Sequence, residues 1–491
     1  MPTIKELKKE RKKKLKAIKN AGHLAYPSKT KRTHDIGEAL DSFNSLKEKE
    51  ERVTLTGRMK SKREHGKLTF CDIQDGEGEI QVVMKESKLG SKGYNFFLDN
   101  FDMGDFIEVT GTLIETDTGE QSLAATEYKM LSKALRPLPE KWHGLQDVEE
   151  RYRKRYLDLI FNEGVKEKFV IRSKVIKSLR SFLEKEDFLE METPILQTIP
   201  GGANASPFKT HLNALDLDLY LRVAPELFLK RLLVGGFEKV YEIGRCFRNE
   251  GMDRTHNPDF TTLEFYQAYA DYKDLMGLTE KMFEEMLQEV FGSLQIEHEG
   301  EEIDFSTPWE RKEFSHLINK YADINYEDMH VEALREEARE RGLDIKEEDP
   351  KGEILDKIYK EYCKPEIQDP TFVIHHPEGS IPLAKSLEGK DKLANFQLIA
   401  GGWELVNAFT ELNDPVEQRK RFEEQEQLRE EGLEEAQQLD EAFLEALEHG
   451  MPPAAGFGMG IDRLVALLTD SDSLREVILF PLMKPKDNED N

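Results

Sequence analysis

Residues 241–269 read YEIGRCFRNEGMDRTHNPDFTTLEFYQAY. Residues 241–247 alternate as a strand, so Arg248 leaves its end on the face shared by Cys246 and Glu242. Residues 250–259 are polar and turn-rich, and residues 260–269 alternate again, with Thr262, Glu264 and Tyr266 on one face. This predicts an antiparallel hairpin with a long loop, whose strands offer an arginine for phosphate, an aromatic for stacking and carboxylates deeper in the sheet. Taken alone, the same residues equally line the solvated face of an ordinary sheet.

A second hairpin narrows the choice. Residues 396–400 run into Gly401-Gly402 and return through residues 403–411, a tight reversal across which Gln397 and Glu404 are expected to approach each other. Asn407, Phe409 and Glu411 recur at period two along one wall. Near the C-terminus Gly456, Gly458 and Gly460 share a strand face, and Asp462-Arg463 opens an apolar helix over residues 464–468. Glycines permit close ligand approach and a helix N-terminus favours anions, although a tight packing junction explains the pattern as well. The glycines do not form a dinucleotide fingerprint, since the sixth position from Gly456 is Ile461, and a phosphate-binding Gly-x-x-x-x-Gly-Lys-Ser/Thr loop is absent from the sequence.

Upstream, residues 52–131 alternate in short strands with turn signals at Asp75-Gly76-Glu77-Gly78 and Asp117-Thr118-Gly119. Five strands in about 80 residues fit a small closed barrel of the OB type, among other five-stranded barrels. Leu135-Arg136-Pro137-Leu138-Pro139 then breaks helix and sheet and marks a boundary. Residues 164–186 read as a long amphipathic helix, and residues 424–449 as a charged helical run. The expected division is a basic helical arm (1–48), the barrel (49–136), a linker (137–165) and a larger domain (166–491). An acidic, mostly helical insertion is expected within the last at about 297–365.

The 491 residues predict two to four compact units. The net charge of -27 would by itself repel nucleic acid, but residues 1–32 hold twelve Lys or Arg against Glu6 and Glu10. A polyanion could dock on that arm; a solvated helix or frayed tail is the alternative. Cys71, Cys246 and Cys363 stand far apart, which argues against a zinc ribbon or a disulfide framework and fits a reducing cytoplasm. The sequence lacks an apolar run of the roughly 18 residues that a membrane span needs, and a signal peptide is not apparent, so no membrane partner is expected.

Together these segments resemble the three signature motifs of the class II aminoacyl-tRNA synthetases. Phe188-Leu189-Glu190-Met191-Glu192-Thr193-Pro194-Ile195-Leu196 resembles motif 1, residues 247–260 motif 2 and residues 456–463 motif 3. The resemblance is strongest to the bacterial-type lysyl-tRNA synthetases and spans almost the whole chain. Its most specific stretches are His143-Gly144-Leu145-Gln146-Asp147, Arg155-Tyr156-Leu157-Asp158-Leu159, Ala224-Pro225-Glu226-Leu227, His256-Asn257-Pro258-Asp259-Phe260 and Glu411-Leu412-Asn413-Asp414-Pro415. It implies an α+β chain: an N-terminal OB barrel for the anticodon, and a catalytic domain on a mainly antiparallel sheet flanked by helices. It also implies a homodimer with Pro194 at the interface, and as partners tRNA(Lys), L-lysine and ATP.

The implied reaction activates lysine as lysyl-adenylate and then transfers it to the terminal ribose of the tRNA. Carried over by position, Arg248 and Arg463 are the catalytic residues. Arg248, Glu250, His256, Asn257, Phe260, Glu404 and Arg463 would bind ATP. Lysine would be bound by Gly202, Glu226, Arg248, Glu264, Tyr266, Asn407, Phe409 and Glu411, with Glu226 near the α-amino group and Glu411 and Tyr266 at the ε-ammonium. Phe70, Gln81 and Glu120 would read the anticodon; without the resemblance, Phe70 reads as core. Mg2+ would be held by Glu404 and the residue at 397. There the sequence departs from the family, because Gln397 stands where a metal-binding carboxylate is usual and an amide oxygen is a weaker, neutral ligand. This predicts a weakened or rearranged metal site with activity retained. Ser206 stands where a basic residue is usual, a difference for which the sequence gives no account.

Among rivals, an aspartyl- or asparaginyl-specific relative should want a cation facing the substrate side chain, whereas this pocket is rich in carboxylates. A lysine-modifying paralogue would lack the barrel. An inactive nucleic-acid-binding or regulatory relative would have no use for Arg248, Glu404 and Arg463 together.

Overall fold

A computed structural model describes residues 3–139, 145–162, 164–347, 349–433 and 435–486; His143 and Gly144 of the first family-like stretch lie outside them. The chain divides into two units, Met1–Gln146 and Asp147–Asn491.

In the first unit the basic arm is a docked helix, Ile4–Asn20, opened by a capping box between Thr3 and Glu6. Ile18 enters the barrel core, Arg11 donates to the carbonyls of Ala134 and Met103 at 2.9 Å each, and Lys14 meets Asp102 at 2.6 Å. Part of its charge is therefore satisfied internally, which a frayed tail would not do.

Six strands follow: β1 (Arg52–Met59), β2 (Arg63–His65), β3 (Leu68–Gln74), β4 (Glu79–Lys85), β5 (Phe106–Glu115) and β6 (Gln121–Ser132). Their order is β1-β5-β6-β4-β3-β2, and β1 also pairs with β3, which closes the barrel; β2 is an extra short strand beyond the five expected. The helix Glu86–Asn100 was not legible in the strand alternation. It packs Tyr94 and Phe97 into the barrel core and lets β4 pair in parallel with β6.

The second unit begins earlier than the expected linker allows. Residues 148–161 form the helices Val148–Arg153 and Arg155–Phe161, and buried Arg155 is held by Asp158 at 2.5 Å and by the Arg475 carbonyl at 2.7 Å. A buried guanidinium must be paired in this way, so this stretch is part of the second unit rather than a linker.

Its strands are β7 (Leu189–Glu190), β8 (Leu196–Gln197), β9 (Lys209–Leu212), β10 (Leu217–Leu221), β11 (Lys239–Phe247), β12 (Asp259–Ala268), β13 (Gln295–His298), β14 (Glu301–Asp304), β15 (Glu310–Glu313), β16 (Thr371–Ile374), β17 (Asn395–Ala400), β18 (Trp403–Thr410) and β19 (Ala454–Gly460). Eight of them form one sheet in the order β15-β16-β17-β18-β19-β12-β11-β7, antiparallel except at its two ends. The helices Val165–Lys185, Tyr272–Phe291 and Ile461–Leu468 cover one face, where Leu179, Phe283 and Leu464 pack with Phe265 and Phe457, whose rings stack at 4.3 Å. Strand alternation then sends Glu264, Tyr266, Asn407 and the even-numbered glycines of β19 to the opposite face.

The expected insertion at 297–365 is not continuous: β15 belongs to the main sheet, paired in parallel with β16. The helical part lies beyond it, in Val331–Glu340 and Lys351–Tyr362, with its own core around Leu334, Ile354 and Tyr359. The charged run at 424–449 is likewise the end of one helix, Pro415–Glu430, and a second, Glu441–Glu448. Among the described residues, no helix is long and apolar enough to cross a membrane.

Candidate active site

A cavity of about 350 Å³ opens on the face of the sheet away from the covering helices, walled by β12, β18 and β19. The glycine on its floor is required by packing. A Cβ at Gly456 would lie 2.1 Å from Glu411 Oε1 and 2.5 Å from Tyr266 Cε1. The reversal between β17 and β18 also forms as expected, with φ of 54° at Gly401 and 72° at Gly402.

One end of the cavity is cationic. Arg248 leaves β11 with its amide bonded to the Pro258 carbonyl at 2.9 Å, which ties the strand end to the far end of the loop. Its guanidinium lies over the Phe260 ring at 5.0 Å, and its buried Nε has no hydrogen-bond partner among the described residues. Arg463 projects from the first turn of the helix Ile461–Leu468, 3.4 Å from the Thr255 carbonyl and 3.2 Å from His256 Nε2. That helix start is fixed by Asp462, which accepts from the Thr261 amide at 2.8 Å and from Arg172 at 2.5 Å. Glu250, His256, Asn257 and Phe260 line the same end, with Asn257 anchored on the Asp259 carbonyl at 2.6 Å.

The other end is anionic. Glu226, which opens the helix Glu226–Val234, and Glu264 and Tyr266 of β12 line it, whereas Glu411, after β18, is fully buried behind the wall and does not line the cavity. Tyr266 donates to Glu264 at 3.1 Å. Burial and the neighbouring Glu226 push the Glu264 carboxyl up to about 8, and burial raises Glu226 and Glu411 as well. Gly202, with φ of 89°, sits against Glu226, where a Cβ would come within 2.9 Å of the Glu226 Cβ. Asn407 and Phe409 complete the wall.

Lys230 was not singled out from the sequence and is central here. It is fully buried, with Nζ 2.5 Å from Glu226 Oε1 and ion-paired with Glu411. The rings of Phe409 and Tyr266 lie 5.5 Å and 6.0 Å from its ammonium. The available signal was the spacing of Glu226 and Lys230, four apart on a helix whose apolar residues already face the core. Arg222 was also missed. It is buried under β11, paired with Glu242 at 2.5 Å, and it packs against Gly244 where any side chain would collide with it.

The two residues expected to hold Mg2+ differ in their access to the cavity. Glu404 lies opposite Ile399 and Gln397 opposite Asn407, with a bulge between Leu398 and Ile399 shifting the register by one residue. Gln397 is buried beside His376 and does not line the cavity, whereas Glu404 does. The Glu404 carboxylate is already engaged by Lys364 at 2.8 Å. Burial opposes its ionisation, but Lys364 and Arg463 hold it down at about 2. No group of three or more His, Cys, Asp or Glu able to surround an ion occurs among the described residues. Where one or two free carboxylates with substrate phosphates and waters usually hold Mg2+, this chain offers one carboxylate already paired with a lysine and the neutral Gln397 amide, whose buried Oε1 has no hydrogen-bond partner among the described residues, which is a poor fit for a protein-held ion.

In the barrel, Phe70 alternates with the buried Cys71 and so faces outward, half-buried, rather than forming core. Asp72 and Gln81 are partners across β3 and β4, and Ser122 Oγ lies 3.1 Å from Gln81 Oε1 and 3.2 Å from the Glu120 carbonyl. Phe70 and Gln81 thus share the outer side of β3 and β4, and Glu120 is exposed just before β6. In the second unit Pro194 is exposed beside Ile195 and Leu196, with exposed Leu189 on the same segment. Ser206 takes a backbone role here, its carbonyl accepting from the Asn249 amide at 2.7 Å.

Residues 147–484 match the family described as tRNA synthetases class II (D, K and N), and residues 53–131 match the OB-fold nucleic acid binding domain. A protein of Pelotomaculum thermopropionicum called lysine--tRNA ligase is 49% identical over 99% of this chain and 96% of its own. One of the same name from Carboxydothermus hydrogenoformans is 48% identical over 99% of each chain. A third, from Clostridium novyi, is 48% identical over 98% of this chain and 94% of its own.

Proposed function

The chain belongs to the class II tRNA synthetases of the D, K and N group, and from that premise we infer that it is a lysine-tRNA ligase, joining L-lysine to tRNA with ATP. The observation that carries the choice of lysine is the carboxylate-rich end of the cavity, lined by Glu226 and Glu264, with Glu411 buried behind it and joined to Glu226 through the buried ammonium of Lys230. A bound lysine brings two ammonium groups, and each must find countercharge once removed from water. An aspartate or asparagine side chain would instead meet uncompensated negative charge.

The activation step needs no base. A lysine carboxylate oxygen attacks the α-phosphorus in line, the bond from the α-phosphorus to the bridging oxygen breaks, and pyrophosphate leaves with that electron pair. Positioning and charge stabilisation are the protein's contribution. We assign Arg248 to the lysine carboxylate and α-phosphate, which its stacking over Phe260 and its open Nε support. Phe260 and Glu250 would take adenine, with Asn257 holding the loop, and His256 with Arg463 the β- and γ-phosphates. In the second step a ribose hydroxyl of the tRNA attacks the adenylate carbonyl, and AMP leaves as the hydroxyl proton is lost. Magnesium is expected to arrive on the ATP triphosphate.

We assign the outer face of the barrel, with Phe70, Gln81 and Glu120, to the anticodon, since an exposed aromatic beside hydrogen-bonding groups suits stacking and edge recognition of unpaired bases. The exposed Leu189, Ile195 and Leu196 around Pro194 support a homodimer through that segment. A cytoplasmic setting agrees with three free, buried cysteines. The direct test is charging of a tRNA(Lys) transcript by the purified protein with ATP and radiolabelled lysine. Lysyl-tRNA should accumulate, and failure to charge while an aspartate or asparagine tRNA is charged would overturn the assignment.

A further inference from the structure

Glu404 is a carboxylate lining the cationic end of the cavity, and its position is built around a lysine. Lys364 begins the short turn after the helix Lys351–Tyr362, and that turn is tied to the β17–β18 reversal by backbone bonds. The Gly401 amide donates to the Gln368 carbonyl at 2.7 Å and the Gly402 amide to the Ile367 carbonyl at 2.9 Å. The backbone therefore delivers Lys364 to Glu404, where Nζ lies 2.8 Å from Oε2 with both side chains largely buried. Lys360, one turn back, adds a second positive charge felt at the same carboxylate, and Arg463 reaches the Glu404 carbonyl at 3.4 Å. The other oxygen ligand that a metal would need here is the neutral amide of Gln397, which is buried beside His376 and does not line the cavity.

An ammonium is a compact point charge with three donors, so it can balance Glu404 as a divalent ion would, but it is covalently resident and no chelator removes it. We propose that Lys364 is the permanent counter-cation of Glu404, standing in for a protein-bound divalent ion, so that the only divalent ion in the reaction is the one ATP carries. Lys364 is then a positioning residue, holding Glu404 charge-balanced and aimed at the cavity. This rests on the reading of the cavity as an ATP site.

The test counts Mn2+ bound to the full-length protein by electron paramagnetic resonance, with and without α,β-methylene-ATP, while lysine-dependent pyrophosphate exchange is followed with MgATP on the same preparation. The wild type should hold no tightly bound Mn2+ without nucleotide and about one per bound nucleotide with it. Gln397→Glu alone should leave that count unchanged, because Glu404 stays paired; Gln397→Glu with Lys364→Met should add about one ion per site, and Gln397→Glu with Lys364→Arg should not. Two or more ions per nucleotide in the wild type, a gain from Gln397→Glu alone, or no gain in the Lys364→Met double variant would each overturn the proposal. Absence of exchange and of nucleotide binding in the wild type would instead remove the ATP reading on which it stands.

Discussion

Lys230 Nζ lies 2.5 Å from Glu226 Oε1, one turn away on the same helix, and also closes on the fully buried Glu411. The pocket we assign to lysine is thus organised around a lysine of its own. Removing it leaves buried carboxylates uncompensated, which typically costs about 3–5 kcal/mol. Lys230→Met should lower the stability measured by denaturant unfolding by that amount, and saturating L-lysine should restore part of it.

Glu226, Glu264 and Glu411 lie close together around Lys230, and burial favours their protonated forms. Glu264, facing Glu226 and Tyr266 with Arg248 and Arg222 further off, keeps its proton below about pH 8, well above its ordinary 4.5. Two incoming ammonium groups favour the ionised form, so lysine binding should release up to about one proton from Glu264 at pH 7 and progressively less above pH 8. Calorimetric titrations in buffers of different ionisation enthalpy read this directly, and lysine affinity should strengthen as pH rises from about 6 to 8. Glu264→Gln should abolish that share of the release. The same shift sets the sign for the free protein: the folded carboxyl holds a proton that the unfolded chain loses above about 4.5, so this group's contribution to stability declines as pH rises toward 8.

Arg248 is assigned charge that appears only as the α-phosphate is attacked. Arg248→Lys keeps the charge but loses the planar fork and the stacking on Phe260. Lysine-dependent pyrophosphate exchange should fall about 10²- to 10³-fold in kcat, the usual cost of one transition-state donor. KM for lysine should change far less, and unfolding should be nearly unaffected.

Phe70, half-buried on the outer side of β3 in the unit that does not hold the cavity, is the residue we assign to stacking a base. Phe70→Ala should weaken tRNA(Lys) binding by about 1–3 kcal/mol, seen as a raised KM for tRNA in aminoacylation. Pyrophosphate exchange, which needs no anticodon, should be unchanged.

Strand alternation made the two hairpins legible, together with the faces on which Glu264, Tyr266, Asn407 and Phe409 lie, because period two fixes sidedness wherever one face is buried. The register of Gln397 was not legible: the bulge after Leu398 is a single unpaired residue with no signature in composition. The helix Glu86–Asn100 escaped because it interrupts a run of strands and contains Gly90 at φ 73°, a residue that reads as a turn. Lys230 and Lys364 escaped for another reason. A lysine in a helix, or just beyond its end, reads as a solvated charge until tertiary packing brings a carboxylate to it. Ile18 shows the converse, one apolar residue near the end of a basic helix deciding that the arm docks.

The central claim is that the cavity is sorted by charge, cationic toward ATP and anionic toward lysine. Amino-acid-dependent ATP–pyrophosphate exchange with lysine, ornithine, aspartate and asparagine tests it most directly. Exchange should run with lysine, more weakly with ornithine, whose missing methylene is worth about 1–3 kcal/mol, and be lower by about 10⁴ or more with the other two. Exchange with aspartate or asparagine at a rate matching lysine would contradict it.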